Sequence, residues 1–356
     1  MIKRWSSQTL AVIRLELKKT FFARRGLWVY LLAFAPALLF MAYSILAPRE
    51  QDRLARLAKQ HPASGQVLRS IRVGDPREDV EKAGEPYFQR SGRLRTDNGR
   101  GDALAKFTDG RSDFYFLFEH GRVKHIHRIE PETLSQGSLM FATSFQTYFL
   151  RLAVFFGCVG IFINLFRGEM LDKSLHFYLL TPIRREILML GKYLAGLLAT
   201  VVIFTVSAAL QLILMLWRFD HASIAEYLAG PGWGQILSYL TVTALACVGY
   251  GSVFLAAGMF FRNPVIPTAV VLVWESINVF LPALLRKVSL IFYLQSLCPV
   301  VPPPDGKMPV AWKLLISTVE PATPLGAVSG IVVLTFLVLI ASGMRARKLE
   351  INYGVD

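Results

Sequence analysis

Residues Arg167 to Lys192 read R-G-E-M-L-D-K-S-L-H-F-Y-L-L-T-P-I-R-R-E-I-L-M-L-G-K. The stretch lies between two long apolar runs, Phe145 to Phe166 and Tyr193 to Leu216. Its charges keep it out of hydrocarbon, so it reads as a loop on one face of a membrane. It is also too apolar to stand free in water. Met170, Leu171, Leu175, Phe177, Leu179, Leu180, Ile187 and Leu188 need a partner surface. A basic, part-apolar loop carried by a membrane protein is expected to dock on another protein.

Working outward, further apolar runs have the length of a helix that crosses a hydrocarbon core roughly 30 Å thick. Of the 356 residues 53% are hydrophobic, and the mean hydropathy is +0.43; soluble domains hold about 45–50%. The expected fold is an all-α polytopic membrane protein of about six transmembrane helices. The crossings fall near Gly26–Leu46, Phe145–Phe166, Tyr193–Leu216, Ile236–Phe261, Val265–Leu285 and Leu325–Gly343. A small α+β extracytoplasmic domain is expected between helices 1 and 2, over residues 49–143. The remaining divisions are 1–25, an interfacial helix; 26–48, the first crossing; and 144–356, helices 2–6. This last part holds the loop 167–192 and an external segment 286–322.

The net charge of +14 is explained by topology. The segments 1–25, 167–192, 262–263 and 344–356 carry 16 Lys/Arg against 6 Asp/Glu. That is the positive-inside bias, and it places both termini and the loop in the cytoplasm. Nucleic acid is therefore not an expected partner, whereas membrane lipid is. The three cysteines, Cys158, Cys247 and Cys298, form no framework. The first apolar run is too long for a signal-peptide core, and Pro48 follows it, so no cleavage is expected.

Residues 6–25 suit an amphipathic helix on the membrane surface, with Leu10, Ile13, Leu17 and Phe21 on one face. In the external domain, Asp113–Glu119 (D-F-Y-F-L-F-E) alternates as a strand with Phe114, Phe116 and Phe118 on one side. His120-Gly121 turns it back into Arg122–Ile129. Pro76 to Ala83 reads as a short helix. The run Gly74 to Pro86 followed by this hairpin resembles the small α/β lipoprotein domains of the outer-membrane assembly small-subunit sort. Near the end, Val288 to Leu297 is apolar but too short to span, so a re-entrant or interfacial element is expected before Pro299.

No P-loop pattern G-x-x-x-x-G-K-[ST] occurs, and Gly191-Lys192 is followed by Tyr193. H-E-x-x-H, G-x-S-x-G and C-x-x-C are absent too. No catalytic residue and no metal site is expected. His125 and His127 share a strand face, but no third ligand accompanies them. Glu275 stands near the middle of the fifth run, where a carboxylate costs roughly 2.5–3.5 kcal/mol on insertion scales. Asn278 is three residues on, on the same helical face. One reading is a polar spot on a translocation path or subunit interface. The other is a structural group, paired with Arg151 or bonded to a neighbouring helix.

The loop also carries a pattern that resembles the permease subunits of ABC-2 type ABC transporters. Glu169 stands for an acidic residue of that pattern, and Leu175, Leu179 and Leu180 form its apolar ridge. Thr181-Pro182 is the break, Arg184, Arg185 and Glu186 follow it, and Gly191-Lys192 opens the next helix. Lys173-Ser174 departs from the Gly-Thr that the family usually has. The resemblance covers roughly 1–48 and 144–356. It implies an export permease with no cofactor of its own, ATP and Mg being bound by a cytoplasmic ABC ATPase subunit. It also implies a second permease chain, as homodimer or heterodimer, in a bacterial inner membrane. The ATPase-coupling residues would be Glu169, Leu175, Leu179, Leu180, Thr181, Pro182, Arg184, Arg185 and Lys192. The alternative is a membrane sensor or scaffold whose external domain binds a ligand and signals through the loop. A membrane-embedded enzyme finds no clustered residues to support it.

Overall fold

The computed structural model describes residues 9–17, 27–60, 67–84, 103–108, 113–129, 133–171, 184–261, 263–300 and 321–347. The chain divides into two compact units: Met1–Phe40 with Ser138–Asp356, and Met41–Gly137.

The first unit is helical. Residues 9–17 form α1, and α2 spans Leu27–Gln60. Next, Leu134–Ser144 (α4, α3 belonging to the second unit) continues through a π-helical stretch, Phe145–Val154, into α5, Phe155–Leu171. The third long helix, α6, runs Arg185–Leu216. α7 (His221–Tyr227) passes through a π turn with a kink at Gly230 into α8, Trp233–Phe260. The stretch around Pro231-Gly232-Trp233 is thus a bent helical entry to α8. Then follow α9 (Val265–Ser276), a 3-10 turn (Ile277–Phe280), α10 (Ala283–Arg286), α11 (Leu290–Ser296) and α12 (Pro324–Arg347).

Among the described residues, five helical segments are long and apolar enough to cross a membrane: Leu27–Leu46, Leu134–Phe166, Arg185–Leu216, His221–Phe260 and Pro324–Arg347. The expected fifth of six crossings, Val265–Leu285, is not one helix. α9 has 12 residues, about 18 Å at 1.5 Å per residue. Pro282 explains the break: it has no N–H to donate, and its ring disfavours helix at the residue before it. The short apolar piece expected before Pro299 does form α11, which buries Leu290, Ile291, Phe292 and Leu294.

Aromatic side chains fill the core of this unit. Phe141, Phe145 and Phe149 succeed one another with centroids 5.7 and 5.3 Å apart, and Tyr239 meets the first two edge-on. Phe155 packs edge-on to Tyr250 and Phe254. Such pairs add about 0.5–1.5 kcal/mol beyond area burial. All three cysteines are free and buried.

The second unit holds α3, Arg77–Gly84, and an antiparallel meander β1 (Ala103–Thr108), β2 (Asp113–Glu119), β3 (Arg122–Ile129) in that spatial order. Phe114, Phe116 and Phe118 share the buried face, as their spacing requires, with Phe107, Val123, Val80 and Leu68 against them. The register runs Phe116↔Ala105 and Phe116↔Ile126, with a bulge at Leu117/Phe118. His120 and Gly121 both have positive φ, 52° and 75°, the twist a two-residue hairpin needs. α3 is tied to this turn by Arg77 N–H donating to Gly121 O at 2.9 Å. β1 was not anticipated from the sequence.

Candidate functional site

The helix that begins inside the quoted stretch gathers three other parts of the first unit. α6 begins at Arg185, after Arg184 with extended backbone (ψ 134°). Its first turn is exposed at Arg184 and Arg185. The next turns bury Ile187, Leu188, Met189, Gly191, Lys192 and Tyr193.

Lys192 is the centre of the junction. Its side chain is 0% exposed, and its Nζ lies 2.7 Å from Glu16 Oε1 of α1, whose side chain is 3% exposed. The same Nζ donates to Leu165 O of α5 at 3.0 Å and stands 5.5 Å from the Phe166 ring centroid. A buried ammonium needs both a counter-charge and acceptors for its protons, and this one has them from two different helices. Gly191 makes room for the arrangement. A Cβ there would lie 2.8 Å from Val12 Cγ1 and 3.0 Å from Val12 Cβ, so only glycine lets α1 come this close.

α1 therefore presents Val12 and Glu16, one turn apart, to the bundle. Leu10 is 67% exposed and Leu15 48%. The face expected from Leu10, Ile13 and Leu17 is thus rotated: Ile13 and Leu17 are half-buried, Leu10 is outside, and Phe21 lies outside the described residues. A periodicity count could not have found Glu16, because it treats a charge as a solvent-facing mark.

At the opposite edge of the junction the end of α12 joins. Arg347 pairs with Glu186, and Arg185 Nη1 donates to Arg347 O at 3.2 Å. These side chains are largely exposed, so the contact is worth at most about 1 kcal/mol.

Of the expected coupling residues, Leu175, Leu179, Leu180, Thr181 and Pro182 lie outside the described residues. Glu169 falls in the last turn of α5. Arg184 and Arg185 are exposed where α6 begins. Lys192 lies two turns further on, buried against Glu16. The signal was the residue type itself, since a lysine past the first turn of an apolar helix must find a partner inside.

Glu275 is placed differently. Its carboxylate accepts from Ser289 Oγ at 2.7 Å, Leu290 N–H at 3.0 Å and Ile291 N–H at 2.9 Å. It thereby satisfies the first N–H groups of α11, which have no partner inside their own helix. Among the described residues it makes no ion pair, with Arg151 or with any other cation. Glu275 is thus bonded to a neighbouring helix, α11. Asn278 is also buried, and its Nδ2 has no acceptor among the described residues. His125 and His127 are exposed, and no group of three metal-ligating side chains occurs among the described residues.

The model of the family described as ABC-2 family transporter protein matches residues 10–298. This takes in α1, the loop, the junction and Glu275. No curated protein and no solved structure matches the chain.

Proposed function

This chain belongs to the ABC-2 transporter family, whose permeases associate with an ABC ATPase, and from that premise we propose that it is the permease half of an exporter. It is an integral membrane protein. The proposal adds a direction, an energy source and a docking site. The chain has no P-loop, so ATP and Mg belong to a separate subunit on the cytoplasmic side of a bacterial inner membrane. Both termini and the loop 167–192 share that side, and a second permease chain completes the pore. Glu169, Leu175, Leu179, Leu180, Thr181, Pro182, Arg184 and Arg185 form the surface that the ATPase grips. Glu275 holds α11 in place, and Asn278, with its unmet donor, marks the path or the subunit interface.

The observation that carries this reading is the family match across the loop and its junction. Apolar leucines flanked by arginines are what a groove on a cytoplasmic protein recognises, because the leucines supply buried area and the arginines orient them. The test is affinity purification of the full chain from native membranes. A P-loop ATPase should accompany the wild-type chain, and Leu179→Glu with Leu180→Glu should release it. If the wild-type chain brings down no ATP-binding subunit, the transporter reading fails.

A further inference from the structure

Leu165 lies in the last two turns of α5 and Lys192 in the first turns of α6, the two helices that flank residues 172–184. The bond from Lys192 Nζ to Leu165 O pins those two ends together. The same ammonium is bound to Glu16 of α1, and the neighbouring Gly191 seats Val12 of α1. Two contacts of different kinds, one steric and one ionic, thus join one turn of α1 to one dipeptide of α6.

A buried ion pair is a poor way to gain stability, since desolvation offsets most of its attraction. Its distinctive effect is registry. Apolar surfaces slide on each other at little cost, whereas an ammonium held by a carboxylate and a carbonyl oxygen fixes three helices at one point.

We propose that Lys192 is a positioning residue that, with Gly191, fastens α1 to both roots of the loop, so that α1 and the loop move as one body when the loop is driven. The driving step rests on the reading of the loop as the ATPase contact; the fastening does not. A pull on the loop then reaches α1 directly, without passing through the remainder of the bundle.

The experiment uses the full chain with its co-purified ATPase. Gly191→Leu drives a side chain into Val12, and Glu16→Leu with Lys192→Met replaces the ion pair by apolar groups. Each should lower ATP hydrolysis at least about tenfold while the ATPase subunit still co-purifies, and each should speed hydrogen exchange of the α1 amides at least about tenfold while leaving those of α11 unchanged. Glu16→Lys with Lys192→Glu re-forms a pair between the same positions and should restore most of both.

Three results overturn the proposal: unchanged hydrolysis in Gly191→Leu, full hydrolysis in the double apolar variant, or α1 exchange unaltered in both. If no ATPase co-purifies with the wild-type chain, the transporter reading falls, and the exchange of α1 still decides the fastening.

Discussion

Glu16 and Glu275 are two buried carboxylates in one helical unit, and they are accommodated in different ways. Glu16 faces a full counter-charge, Lys192, at 2.7 Å. Glu275 faces three neutral donors, a serine hydroxyl and two backbone N–H groups at the start of α11. The first arrangement depends on net charge: remove either member and a buried ion pair is broken from one side. The second depends on hydrogen-bond count, and a neutral acceptor of the same shape meets most of the need. The difference separates a lock between distant segments from a clasp between near ones. Glu16 and Lys192 are 176 residues apart, whereas Glu275 and Ser289 are 14 apart.

The largest effect should come from breaking the lock on one side. Lys192→Met, with Glu16 left in place, should cost about 3–5 kcal/mol, the usual penalty for breaking a buried ion pair from one side. Thermal unfolding of the purified chain in detergent measures it, and adding Glu16→Leu should recover most of the loss. A fall as large in the double variant would mean that the pair is not the source.

The same conservative change at both acids sharpens the contrast. Glu16→Gln should be severe, because Lys192 loses its counter-charge. Glu275→Gln should cost only about 0.5–1.5 kcal/mol, because its carbonyl oxygen still accepts. Equal losses would erase the distinction drawn here. Below these, Ser289→Ala removes one of three donors to Glu275 and should cost about 1 kcal/mol, read in the same unfolding assay.

The smallest effect concerns an acid in solvent. Asp220 caps α7, accepting from Ser223 Oγ at 2.6 Å and Ser223 N–H at 3.2 Å. These bonds hold its carboxyl below the ordinary aspartate value. A depressed carboxyl contributes its support above the unfolded-state value and loses it as pH falls through the folded one. Hydrogen exchange of α7 should therefore quicken only in acid. Asp220→Asn, which caps without a charge, should remove that pH dependence.

Some of this was written in local sequence. The F-x-F-x-F alternation of β2 placed its three phenylalanines on the buried face without help from elsewhere, because a strand has period two. His120-Gly121 announced its turn. β1, A-L-A-K-F-T, alternates less sharply and has only one large apolar residue, Phe107, on its buried face, so it becomes a strand through pairing with β2. The break in the expected fifth crossing was visible in Pro282 and was overridden by the apolar run around it. The Gly191-Lys192 dipeptide was noticed, but as part of the loop. Nothing local reveals that its neighbour is the amphipathic helix at the other end of the chain.

By itself, then, the sequence determined which segments are apolar enough to leave water, where the loop between α5 and α6 must lie relative to them, and which family pattern that loop carries. Those properties are sums over neighbouring residues. Only the tertiary structure decided which buried charge answers which, that α1 turns Val12 and Glu16 inward, and that Glu275 clasps α11. A charged side chain in an apolar run announces that it must have a partner; the partner's identity is fixed by which helices pack together, and that is a property of the whole unit.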